Sequence, residues 1–266
     1  MNISFFIFKK IKDKFYAISA LMILVFIFCE ITKIYFYLMK SELDFNPISF
    51  FSVPADAKFF LSKPFSVLTY IFVHENIFHL VLNLFFLLII RKSLLKIKQD
   101  FKMFSVFFLS ALFSGFLFIF SYNAFPLLEP QKENTILIGS SSAIIGLFSF
   151  ITFKYPQNKL NLFFTKIKNK HILLIIALFS LVGISKFNTG GNISHISAIF
   201  FGFIYFLFCT RKIKSKRSSY SDDQAFRDKK VKKEKEIDDI LAKISQSGFD
   251  SLTKVEKDKL FKLSKK

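Results

Sequence analysis

Six stretches of this chain, at about residues 15–38, 72–90, 103–122, 136–153, 171–187 and 192–210, are apolar enough to cross the hydrocarbon core of a bilayer. Such a crossing takes about 20 residues of helix, with a range of roughly 17 to 25. No water inside the bilayer satisfies a free N–H or C=O, so each stretch is expected to be helical. Mean hydropathy is +0.43 although the formal net charge is +19, which places apolar and charged residues in separate segments. An ordinary soluble domain and a largely disordered chain are both excluded. With only two cysteines, Cys29 and Cys209, a disulfide scaffold is excluded too, and both read as small buried hydrophobes.

Basic residues are retained on the cytoplasmic side of short loops, which gives the expected orientation. Nineteen lie in the lead before the first stretch, between the second and third, between the fourth and fifth, and directly after the sixth. The alternate loops hold five: Lys40, Lys58, Lys63, Lys132 and Lys186. Both termini are therefore expected in the cytoplasm, and the Lys-, Phe- and Ile-rich usage points to an AT-rich bacterial genome, hence to a bacterial inner membrane. The first stretch follows a Lys-rich lead, residues 1–14, and has no small-residue cleavage site, so it is expected to remain as an anchor. Glu30 and Lys33, one turn apart within it, are expected to pair near the outer headgroups. The connection to the second stretch interleaves Pro47, Pro54 and Pro64 with Phe50, Phe51, Phe59, Phe60 and Leu61, and reads as a structure lying in the outer interface.

Composition changes after residue 210. Residues 211–266 hold 18 of the 38 basic and 10 of the 19 acidic residues, as expected for a cytosolic tail. Residues 211–233 read as a basic, flexible linker. Residues 234–266 read as a small helical hairpin: Ile237, Ile240, Leu241 and Ile244 share one helix face, Gly248 ends that helix, and Thr253 with Glu256 opens a second one bearing Val255, Leu260 and Leu263. So small a hairpin is expected to dock on a cytosolic partner or on another copy. Acids mixed among its bases argue against nucleic acid.

Ionisable and strongly polar residues inside apolar spans are costly, and each is a functional candidate. His74, His79 and His195 fall at the outward ends of the second and sixth stretches, whereas His171 sits at the cytoplasmic start of the fifth. His79 and Asn83, four apart, share a helix face. At the outward start of the fourth stretch stands Gly139-Ser140-Ser141-Ser142. Together these types can perform acyl transfer: a serine, an imidazole base in His195, and donors in His79 and Asn83 to hold an oxyanion. Small residues four apart, Ser142 with Gly146 and Ala198 with Gly202, allow the fourth and sixth stretches to approach closely. Taken singly, the Gly-Ser run also reads as a helix cap with a packing patch, His195 as an interface residue, and Asn83 as interhelical glue.

The pattern His74-x4-His79-x3-Asn83, Gly139-x-Ser141 and His195-x2-Ala198-x3-Gly202, in that order on six apolar stretches, resembles the rhomboid family of intramembrane serine proteases over about residues 60–210. The tail from Ile237 to Ser264 is similar to a small C-terminal extension of some bacterial rhomboids. The resemblance implies an all-α, six-helix membrane bundle over residues 15–210. It implies Ser141 as nucleophile and His195 as general base, a dyad without a third carboxylate. It places an oxyanion on the Ser141 N–H, His79 and Asn83, and gives His74 and Gly139 supporting roles. No cofactor or metal is implied, and the partners are transmembrane segments of substrate proteins within the lipid bilayer. Two departures are present: Ser142 stands where the family usually has Gly, and Phe65 follows Pro64 where a Trp-Arg pair is common.

Three other readings compete. His74-Glu75 and His79 suggest a zinc site, but the histidines are five apart, about 140° around a helix. A catalytically inactive rhomboid-like pseudoprotease that binds membrane clients is the main alternative, with Ser142 as its ground. A transporter or channel would place its polar groups at the midplane, and these lie near one leaflet.

Overall fold

The computed structural model describes residues 3–39, 45–97, 102–162 and 165–257. They form two compact units, residues 1–207 and 208–266. The first begins with α1 (Ile3–Met39), in which Glu30 and Lys33 pair at 2.7 Å. The connection that follows folds into short pieces: α2 (Pro47–Phe51), β1 (Val53–Pro54), α3 (Ala57–Ser62) and α4 (Ser66–Thr69), which continues as a tight turn through Phe72. Asn46 and Asp56 cap α2 and α3 by accepting the first free N–H groups, as such side chains do where a short helix has no preceding turn. Phe50, Phe59, Leu61 and Phe65 remain exposed, the apolar surface expected of a segment lying against lipid.

The longer helices are α5 (Ile77–Ile97), α6 (Lys102–Ala124), α7 (Ser141–Lys154), α8 (Asn169–Gly183) and α9 (Thr189–Ser247), and the unit boundary falls within α9. Among the described residues, Lys14–Met39, Met103–Ala124 and Thr189–Thr210 are long and apolar enough to span a membrane. The second stretch differs from the expected single helix over 72–90. Its helix starts at Ile77, and Ser66–Phe72 before it is a separate short helical segment that meets Ile77–Lys92 at a 93° bend. The bend falls at Val73–Asn76, where Val73 is extended and Asn76 restarts the helix by accepting the His79 N–H at 2.9 Å.

The fourth and fifth stretches are also shorter than expected, at 14 and 15 residues. At 1.5 Å per residue each is about 21 to 23 Å long, against about 30 Å of hydrocarbon. Helix α7 starts at Ser141 rather than 136 because the β-branched run before it is extended: β2 (Ile136–Leu137) pairs antiparallel with β1, Val53 opposite Leu137. A second hairpin, β3 (Lys159–Leu162) with β4 (Thr165–Lys168), joins α7 to α8. Among the described residues the fold is thus helical with two small β pairs, where an all-α bundle was expected. Non-helical backbone is tolerated at membrane depth where protein encloses it, and every residue of α7 from Ser142 to Thr152 is buried. It packs against α5, α6 and α8. Beside α9 the approach is closer still: a Cβ on Gly202 would lie 2.7 Å from the Gly146 carbonyl and 2.7 Å from the Phe150 nitrogen.

In the second unit, the backbone of residues 211–233 is helical and lies within α9, where a flexible linker was expected. No Gly or Pro occurs between Gly202 and Gly248, so nothing in the local chain interrupts the helix. Gly248, at φ +76°, ends it. Ile240 before that turn and Leu252 after it are both buried. Thr253 N–H donates to Glu256 at 2.7 Å, Glu256 N–H to the Thr253 hydroxyl at 3.4 Å, and Lys243 to Glu256 at 3.0 Å. These contacts, the Thr253 N–H foremost, pull the Glu256 carboxyl down to about 2, so this closure is lost only as pH falls toward that value. Leu260 and Leu263 of the expected second tail helix lie outside the described residues, as does Lys40.

Replacing Gly202 with Val is expected to cost at least about 1 to 3 kcal/mol, the usual cost of overpacking a filled contact. Thermal unfolding in detergent micelles, followed by circular dichroism, measures it.

Candidate active site

Gly139 sits at φ +95°, a conformation open to glycine and costly for any residue with a Cβ. Its N–H donates to the Tyr70 carbonyl at 2.9 Å, which fixes the end of the extended segment. Ser140 then turns the chain and Ser141 becomes the first residue of α7. A helix start leaves backbone N–H groups unpaired and carries a partial positive charge, so Ser141 is placed where an anion is favoured. Its hydroxyl lies 2.8 Å from His195 Nε2, although the two residues are 54 positions apart. The close passage of α7 and α9 at Gly146 and Gly202 is what permits this distance.

The other ring nitrogen of His195, Nδ1, lies 3.4 Å from the Ser180 hydroxyl on α8. Sequence reasoning missed Ser180. Its signal is that it is the one hydroxyl between Ile172 and Ile184. With a proton on Nδ1 directed at Ser180, Nε2 is free to accept from Ser141.

On α5, the Asn83 side chain donates one N–H to the His79 carbonyl at 2.8 Å, leaving its second N–H uncommitted by that bond. The His79 ring closes against the Gly139 backbone: a Cβ at 139 would lie 2.6 Å from His79 Nε2. His74 is buried behind it, with the two rings 5.0 Å apart and near perpendicular. His74 Nδ1 lies 3.2 Å from the Phe72 carbonyl, and Nε2 has no hydrogen-bond partner among the described residues. The expected site residues Ser141, His195, His79 and Asn83 all line one cavity of about 1100 Å³, with Ser180. His74 and Gly139 are not among its lining residues.

Lys33, Asn46, Glu75, Asn188 and Asn192 supply further polar lining, and Leu82, Phe86, Ile175, Ile176 and Phe179 an apolar wall from α5 and α8. A serine and an imidazole at hydrogen-bond distance, beside a helix start and two side-chain donors, can carry out nucleophilic acyl transfer. The polar lining gives water a place in the cavity.

Ser142, which departs from the family pattern, is 1% exposed and does not line the cavity. Its hydroxyl lies 2.7 Å from the Tyr70 hydroxyl. Comparison with known families gives two matches: a model described as the Rhomboid domain over residues 62–212, and a family of unknown function over residues 220–266. No curated protein matches the chain.

Gly139→Ala adds both a positive-φ strain and a contact with the His79 ring. It is expected to destabilise the first unit by about 1 to 3 kcal/mol. Asn83→Ala, which removes one side-chain bond, is expected to cost about 1 kcal/mol or less. Thermal melts of both variants against the parent check the order.

Proposed function

Because the chain belongs to the rhomboid family and is a membrane protein, we propose that it is an intramembrane serine endopeptidase. It cleaves peptide bonds near the outer end of transmembrane segments through the dyad of Ser141 and His195. The observation that carries the reading is the 2.8 Å contact between Ser141 Oγ and His195 Nε2 at a cavity with both polar and apolar walls.

The Ser141 hydroxyl attacks the substrate carbonyl as its proton passes to His195 Nε2, which later returns a proton to the leaving amine. The oxyanion forms beside the start of α7, where the Ser141 N–H, His79 and Asn83 meet it. Fixed donors stabilise charge there without reorganising. Water in the cavity then releases the acyl group. An intact helix keeps its carbonyls bonded, so the substrate segment must unwind locally. The class of substrate is therefore a transmembrane segment weakened by Gly, Pro or similar residues near its outer end. In this reading both termini are cytoplasmic, the site opens to the outer face of a bacterial inner membrane, and residues 234–266 engage a cytosolic partner or a second copy.

The pseudoprotease alternative rests on Ser142. Its burial and its bond to Tyr70 turn it away from the reacting groups, which supports the protease reading.

Purified chain, incubated with a tagged panel of single transmembrane segments, is expected to cut near the outer end. Ser141→Ala and His195→Ala are expected to show no cleavage by gel and mass spectrometry. His79→Ala and Asn83→Ala are expected to lose roughly 10²-fold in kcat. Replacing Gly or Pro near the cut with Leu is expected to protect the segment. Folded wild type that captures a segment without cutting it would instead establish the pseudoprotease.

Ser180→Ala is expected to lower kcat several-fold with KM unchanged, and Ser180→Thr to retain most of it. Steady-state kinetics on a cleaved segment decides this.

A further inference from the structure

Tyr70 is fully buried and touches both sides of the nucleophile. Through its backbone it accepts the Gly139 N–H at 2.9 Å, two residues before Ser141. Through its side chain it lies 2.7 Å from Ser142 Oγ, one residue after. The direction of that second bond follows from counting protons. Tyr70 has one hydroxyl proton, and the Ala111 carbonyl, 2.9 Å away, can only accept. Tyr70 therefore donates to Ala111, and Ser142 donates to Tyr70. The Ser142 carbonyl in turn accepts from the Ser110 hydroxyl at 3.0 Å. Residue 142 is thus tied to two neighbouring elements, the turn before α5 and helix α6.

We propose that Tyr70 and Ser142 form a clamp that positions the nucleophile, with Ser142 replacing the backbone freedom of a glycine by a tether. The proposal rests on the protease reading above. A glycine at 142 would remove the tether after the nucleophile and leave the helix bonds, the Ser110 contact and the Gly139 bond to the Tyr70 carbonyl. Here, the turn carrying the Ser141 hydroxyl and N–H is spanned from 139 to 142 by one tyrosine, itself anchored to α6. Such a device acts on the reacting geometry more than on substrate affinity, because neither Tyr70 nor Ser142 lines the cavity. Its signature is a fall in kcat at constant KM, shared between the two residues.

The test uses the full chain in detergent and two readouts: the rate at which a fluorophosphonate labels Ser141, and kcat and KM on a cleaved transmembrane segment. Ser142→Ala and Tyr70→Phe are each expected to slow labelling and lower kcat roughly three- to tenfold, as loss of one buried hydrogen bond would. KM is expected to stay within twofold. The double variant is expected to be no slower than the slower single one, since both changes remove the same bond. Should Tyr70→Phe fail to fold, Ser142→Ala and Ser142→Gly carry the test, both expected to be slow. Wild-type rates in folded Ser142→Ala, or fully additive losses in the double variant, would overturn the clamp alone. Failure of the wild type to label or cleave would overturn both the clamp and the protease reading.

Discussion

Every polar group of a backbone within a bilayer must be paired inside the protein, and the arrangement of this chain follows from meeting that demand around a helix that starts in the wrong place. Helix α7 has 14 residues, too few to cross, so the segment before it reaches membrane depth as extended chain. That segment is supported by the β1–β2 pair and by the Gly139 bond to Tyr70. Helices α5, α6 and α8 pack against α7, whose residues from Ser142 to Thr152 are all buried. What the bilayer forbids at the periphery is thereby accommodated at the centre. The start of α7, where a helix leaves N–H groups without intrahelical partners, thereby comes to a protein-lined cavity at Ser141.

The same constraint governs the pairing of Ser141 with His195. Two side chains from separate helices reach 2.8 Å only if their backbones approach closely, and glycine makes that approach cheap in sterics. Gly202 meets the α7 backbone, and Gly146 faces Ser110 and the Ala198 carbonyl. Gly139 serves a different need, a positive φ and room for the His79 ring. Small residues here act as spacers that set where larger, chemically active side chains meet. The polar contacts of His195, Asn83 and Ser142 then fix orientation within that spacing.

Much of this was legible in the chain because hydrophobic runs and helical period are local signals. The six apolar stretches mark where the helices lie, and the four-residue spacings of His79 with Asn83 and Ala198 with Gly202 mark shared faces. Helix ends in the first unit were not legible, although Gly248 marked the end of α9. A hydropathy reading cannot tell the extended run Ile136–Leu137 from a helical turn, because distant pairing with β1 settles it, nor see that Val73–Asn76 breaks the second stretch, because the polar cap at Asn76 settles that. The helical backbone of 211–233 was missed because a polar, charged composition resembles a linker unless the absence of Gly and Pro is weighed. Tyr70 and Ser180 were missed for a further reason: tyrosine and serine are ordinary in apolar helices, and only the fold brings them to Ser142 and His195.

The central claim is that Ser141 is an activated nucleophile because His195 takes its proton, and mass spectrometry of a covalent adduct tests this most directly. Wild-type chain and His195→Ala would be incubated with a fluorophosphonate, digested and mapped. The account predicts a single adduct on Ser141 in the wild type and none in the variant. An unlabelled wild type, a label on another serine, or equal labelling of Ser141 without His195 would contradict it.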